Sequence, residues 1–70
     1  MATADDRLRL LRLAQQHEEQ AKRNLLWRQH YRETMPPGRD RRSRLWQLSF
    51  YMHKARSRAA TLRRFAGVAP

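Results

Sequence analysis

Three consecutive residues, Pro36, Pro37 and Gly38, are the only helix breakers between Thr3 and Ala66 in a chain of 70 residues. Proline lacks the backbone N–H, and its ring disfavours the α conformation in the residue before it, so no single helix can run through this point. On either side nothing interrupts one. Upstream, Thr3 followed by Asp6 has the form of a capping box, with aspartate in place of the usual glutamate, and Asp5 and Asp6 sit where the helix dipole favours negative charge. A first helix is therefore predicted over about 4–34, roughly 45 Å long at ~1.5 Å per residue. The bend takes 35–40, and Asp40 or Ser43 can cap a second helix over about 41–66, ending at Gly67 with Arg63 and Arg64 in its last turn. The expectation is an all-α fold, a single module over 1–70 in which two helices are joined by a Pro/Gly bend.

Each predicted helix has an apolar seam. In the second, Leu45, Leu48, Met52, Ala55, Ala59, Leu62 and Ala66 recur at spacings of three and four. The first carries a looser stripe of Leu10, Ala14, His17, Ala21 and Leu25, with Leu13 and Tyr31 on its edge. Alanines on both seams permit close approach, so the two helices either fold back on each other or pair with copies in a second chain. Spacing alone leaves both open.

A chain this short, 40% apolar, cannot surround a sizeable core, and small domains usually gain stability from disulfides, metals or partner subunits. There is no cysteine, and His17, His30 and His53 are too dispersed for a metal cluster, so neither disulfide, metal nor cofactor is expected. Assembly as a helical homodimer or tetramer is, with Leu10, Ala14, Ala21, Leu25, Leu45, Leu48, Met52, Ala55, Ala59 and Leu62 at the interface. No apolar run exceeds three residues, as in Leu25 to Trp27, far short of a membrane span.

Charge points to the partner. A net charge of +10 and a pI near 11.8 favour a polyanion, most often nucleic acid. Residues 1–20 carry three cations against four acids, whereas residues 21–70 carry thirteen cations against Glu33 and Asp40. Fourteen of the sixteen basic residues are arginine, whose planar fork suits two-point contact with phosphate oxygens. Away from its seam the first helix sets Arg9, Arg12, Gln16, Arg23, Trp27 and His30 at near-heptad spacing, and the second sets Arg42, Trp46, Ser49, His53, Arg56 and Arg63. Cations with an aromatic ring among them suit a phosphate backbone. Trp and Arg are also enriched in protein interfaces, which is the competing assignment for Trp27 and Trp46.

The order of residues around the bend, "RETMPPGRDRRSRLW" from Arg32 to Trp46 after a helical segment, resembles the 2b-type RNA-silencing suppressors of cucumoviruses, in Arg32, Pro37, Arg41, Arg42, Ser43, Leu45 and Trp46. The resemblance covers about fifteen positions without a gap. It implies an all-helical homo-oligomer that binds short interfering RNA duplexes and withholds them from the silencing machinery of a host cell, in its cytoplasm or nucleus. It also implies backbone contacts from Arg41, Arg42 and Ser43, and a stacking or wedging role for Trp46. With the surrounding cations, the candidate RNA-binding set is Arg9, Arg12, Arg23, Trp27, Arg28, His30, Arg32, Arg39, Arg41, Arg42, Ser43, Trp46, His53 and Arg56. A-form RNA hides its base edges in a deep major groove, so such a set would read backbone and 2′-OH groups, whatever the base sequence.

Two other functions fit the same composition. A small basic subunit of a ribosome or another RNA-rich assembly would share the charge and both tryptophans, and a helical protein–protein adaptor would use the seams. The run at the bend also has the composition of a nuclear localisation patch, and Ser43 among its arginines is a potential phosphorylation target. Catalysis is not expected: the six acidic residues are scattered, and no Gly-rich phosphate loop or nucleophile and base pair is present.

Overall fold

The computed structural model describes residues 3–68. They form two α-helices, α1 over Ala4–Thr34 and α2 over Arg39–Val68, and no strand. The capping box forms: Thr3 Oγ1 accepts from the Asp6 N–H, and Asp6 Oδ2 accepts from the Thr3 N–H, both at 3.1 Å. At the other end of α1, Met35 is extended (φ −86°, ψ 138°), as the residue before a proline prefers, and its N–H still donates to the Tyr31 carbonyl at 2.9 Å.

The second helix departs from expectation at both ends. It opens at Arg39, with the Arg42 N–H donating to the Gly38 carbonyl at 3.1 Å, so Asp40 lies in the first turn and neither it nor Ser43 is the cap. Gly38 has φ +158°, a conformation that residues with a side chain rarely adopt, and this lets the chain reverse within four residues. At its far end α2 passes through Gly67 to Val68, which leaves Arg63 and Arg64 short of the last turn. Glycine permits a left-handed helix stop without imposing one.

Glu18 meets Arg63, Ala21 meets Met52 and Ala55, and the Arg32 carbonyl meets Arg41. Numbers rise along α1 as they fall along α2, so the helices form an antiparallel hairpin with a Cα envelope of 52 × 14 × 10 Å. The two apolar seams meet inside one chain. Ala14, Ala21, Met52, Ala55, Ala59 and Ala66 are buried, Leu25 packs on the Ala21, Met52 and Ala55 cluster, and Leu10, Leu45, Leu48 and Leu62 are half-buried. The residues expected to join separate chains therefore join the two arms of a single chain. The small core is a consequence of the spacing, because alanine recurs at heptad intervals in Ala14 and Ala21 and again in Ala59 and Ala66, allowing close approach. Bulky side chains are left outside, with Leu26, Trp27, Trp46, Phe50, Tyr51 and Phe65 each at least half exposed.

Candidate nucleic-acid interface

The hairpin concentrates charge at its closed end. Residues 22–54, which include the bend, carry nine cations against Glu33 and Asp40, whereas the rest of the chain carries seven against four acids. Arg23, Arg32, Arg39, Arg42 and Arg44 are exposed there. Arg28 and Arg41 are not free in the same way. Arg28 lies seven residues from Ala21, on the seam side, and its Nε is buried. Arg41 Nη1 donates to the Arg32 carbonyl at 3.3 Å, bracing the bend at the negative end of the α1 dipole.

Aromatic rings stand among these cations. On α1, Trp27 stacks on Tyr31 (centroids 5.8 Å apart, planes at 28°) and meets the edge of His30 at 5.6 Å. On α2, Trp46 stacks on Phe50 at 5.8 Å and 14°, and Phe50 meets Tyr51 edge-on at 5.7 Å. Two cations sit over ring faces: the Arg44 guanidinium lies 5.5 Å from the Tyr31 centroid, across the hairpin, and Lys54 lies 6.0 Å from that of Phe50. Sequence reasoning singled out Trp27 and Trp46 and missed Phe50, Tyr51 and the Arg44–Tyr31 contact. Each stacked pair is an i, i+4 pair on one helix, so the spacing carried a signal for Tyr31 and Phe50. The Arg44–Tyr31 contact depends on how the arms align, which no local spacing encodes.

The remaining candidates are dispersed. Arg9, Arg12, Arg23, Trp27 and His30 are exposed along the side of α1 opposite Ala14 and Ala21, but Arg9 and Arg12 stand near the open end, beside Asp5 and Asp6. Arg42, Trp46, His53 and Arg56 follow one flank of α2, and Ser43 is exposed beside them. Arg56 shares a groove with Glu18, Ala21 and Lys22. Arg63, placed on that flank by its spacing, is engaged with protein: Nε and Nη2 donate to the two Glu18 carboxylate oxygens at 2.8 and 2.5 Å. The hydrogen bonds from Arg63 hold the Glu18 carboxyl below its ordinary pKa and raise that of the guanidinium in turn. Asp6 is lowered as well, chiefly by the backbone N–H of Thr3.

Among the described residues no group of His, Cys, Asp and Glu could hold a metal ion, and no helix is long and apolar enough to cross a membrane. No protein family, curated protein or solved structure matches the chain.

Proposed function

We propose that the chain binds duplex RNA through the closed end of the hairpin. The observation that carries this reading is the group of exposed arginines Arg32, Arg39, Arg42 and Arg44, contributed by both arms around one bend, with the exposed Trp46 one helical turn beyond Arg42. Arginines on a rigid turn lose little conformational freedom on meeting a phosphate backbone, and their forks match its oxygens. Neither helix offers loops for reading base edges, so contact with phosphates and 2′-OH groups, without regard to sequence, is the mode that fits. Following the resemblance to cucumovirus suppressors, capture of small interfering duplexes would withhold them from silencing complexes.

A gel-shift titration against a 21-base-pair RNA duplex, the matching DNA duplex and the separate strands, at two salt concentrations, tests this directly. Tight, salt-sensitive binding that prefers duplex RNA is the expected result. Weak binding without preference among the probes would overturn it, and the charge would then serve an assembly or a protein partner.

A further inference from the structure

We infer that Tyr31 is a positioning residue that holds Arg44 ready for a phosphate of the bound duplex, a role that rests on RNA binding at the closed end and gives an uncharged side chain of α1 a part in it. The Arg44 guanidinium reaches across the hairpin and lies over the Tyr31 ring, 5.5 Å from its centroid. The ring is fixed from its own helix, stacked on Trp27 at 5.8 Å and 28° and set against His30 at 5.7 Å. Tyr31 is half-buried and Arg44 exposed, so a cation resting on this ring is held at the surface.

The contact matters because Arg44 has an alternative. Asp40 stands four residues before it on α2, the spacing at which a carboxylate and a guanidinium pair along a helix, and the two line one groove with Met35, Ser43 and Gln47. Such a pair would engage the N–H fork that a phosphate needs. It is not made: among the described residues the ion pair is that of Arg63 with Glu18, and the arginine side chains that donate hydrogen bonds are Arg41 and Arg63. A cation over a ring face is held by the quadrupole of the ring, which leaves its N–H donors uncommitted. Tyr31 therefore selects between two settings of one side chain. On the ring, Arg44 keeps its fork free for a phosphate; without the ring, Asp40 captures it and cancels its charge at the place where the duplex would meet it.

Duplex-RNA titrations across a range of salt concentrations test this with Tyr31→Leu, Tyr31→Phe and Arg44→Ala, circular dichroism confirming that the helices persist. Tyr31→Leu should weaken binding roughly two- to five-fold, the scale of one exposed cation–ring contact. It should also lower the slope of log K against log salt by up to about 0.9, one phosphate contact's worth. Tyrosine carries no charge, so the slope can fall only through a cation that has moved. Tyr31→Phe should match the parent, and Tyr31→Leu should change nothing further in Arg44→Ala. Asp40→Asn should restore more affinity to Tyr31→Leu than it adds to the parent. In the free chain, the ring current of residue 31 should shift the Arg44 side-chain proton resonances upfield in the parent and in Tyr31→Phe, and not in Tyr31→Leu. Absence of RNA binding by the unmodified chain would overturn duplex binding and this role with it. Binding that tolerates Tyr31→Leu, a loss with the salt slope kept, a loss repeated in Arg44→Ala, or unshifted Arg44 resonances in the parent would overturn the role of Tyr31 alone.

Discussion

Replacing Ala59 by leucine puts the alanine seam to its most direct test. Ala59 is 2% exposed, and its neighbours in the core are of the same small kind, with Ala14, Ala55 and Ala66 at 0%, 5% and 1%. Leucine is nearly as good a helix former as alanine, so intrinsic propensity changes little and the effect isolates the packing between α1 and α2. Three added carbons have no space at that distance. They must drive rotamers off their minima or push the arms apart, which costs about 1–3 kcal/mol. For 70 residues, total stability is of the order of 4–10 kcal/mol, so the loss is a large fraction of the whole. With a urea slope near 1 kcal/mol/M, the unfolding midpoint followed by circular dichroism should fall by roughly 1–3 M. Ala60→Leu is the control: the neighbouring position is exposed, and its unfolding free energy should stay within about 0.5 kcal/mol of the parent. If Ala59→Leu raises the midpoint, or matches the control, the arms do not close on alanine and the hairpin register is wrong.

Three further outcomes are expected. Arg42→Ala should weaken duplex-RNA binding and reduce the slope of log K against log salt by about 0.7–0.9, one phosphate contact's worth, whereas Arg41→Ala should mainly loosen the bend, seen as earlier thermal unfolding with the salt slope kept. Trp46→Ala should weaken duplex-RNA binding if its exposed ring lies against the duplex backbone or stacks on the terminal base pair, measured by titration at fixed salt; unchanged affinity would remove that ring from the interface. Because Glu18 and Asp6 are both held below their ordinary pKa values in the folded chain, their contributions are present above the unfolded-state pKa and lost as pH falls through the folded one. Thermal midpoints should therefore drop below roughly pH 4, and Glu18→Gln should flatten that drop. An identical pH profile in the variant would show that the Arg63 pair adds nothing to stability.

The helical part of this structure was legible because its signals are local. Thr3 and Asp6 mark one end of α1, Pro36 biases Met35 out of the helix at the other, and the observed limits of Ala4 and Thr34 follow. The start of α2 was less legible. Asp40 and Ser43 are better capping residues than glycine by propensity, yet the chain must first reverse, and Gly38 alone among the bend residues tolerates the backbone angle that this takes. Whether the seams closed within one chain or between two was not encoded in either seam. That depends on the length of the bend and on the alignment of Ala21 with Met52 and Ala55, neither of which a periodicity reports. The same limit applied to the cations. Arg28, Arg41 and Arg42 are indistinguishable as residue types, but the alignment of the arms turns the first toward the seam, engages the second with the Arg32 carbonyl and leaves the third free.

The alanine core and the exposed aromatics are two aspects of one arrangement. Arms this close cannot hold large side chains between them, so rings that a wider bundle would bury are displaced to its surface. There they fall into two groups with different surroundings. Trp46 and Phe50 stand on α2 with Arg39 and Arg42 at helical spacing and Lys54 over the Phe50 ring, so the proposed polyanion would meet both charge and ring faces there. Trp27 leans on Tyr31 on α1, on the other arm of the hairpin from that group. If the proposed mode holds, Trp27→Ala should lose less duplex-RNA affinity than Trp46→Ala, measured by titration at fixed salt, because Trp46 alone stands on the arm that carries Arg39 and Arg42. Equal losses in the two variants would mean that Trp27 contacts RNA as well and that the closed end does not bind through one arm's ring alone.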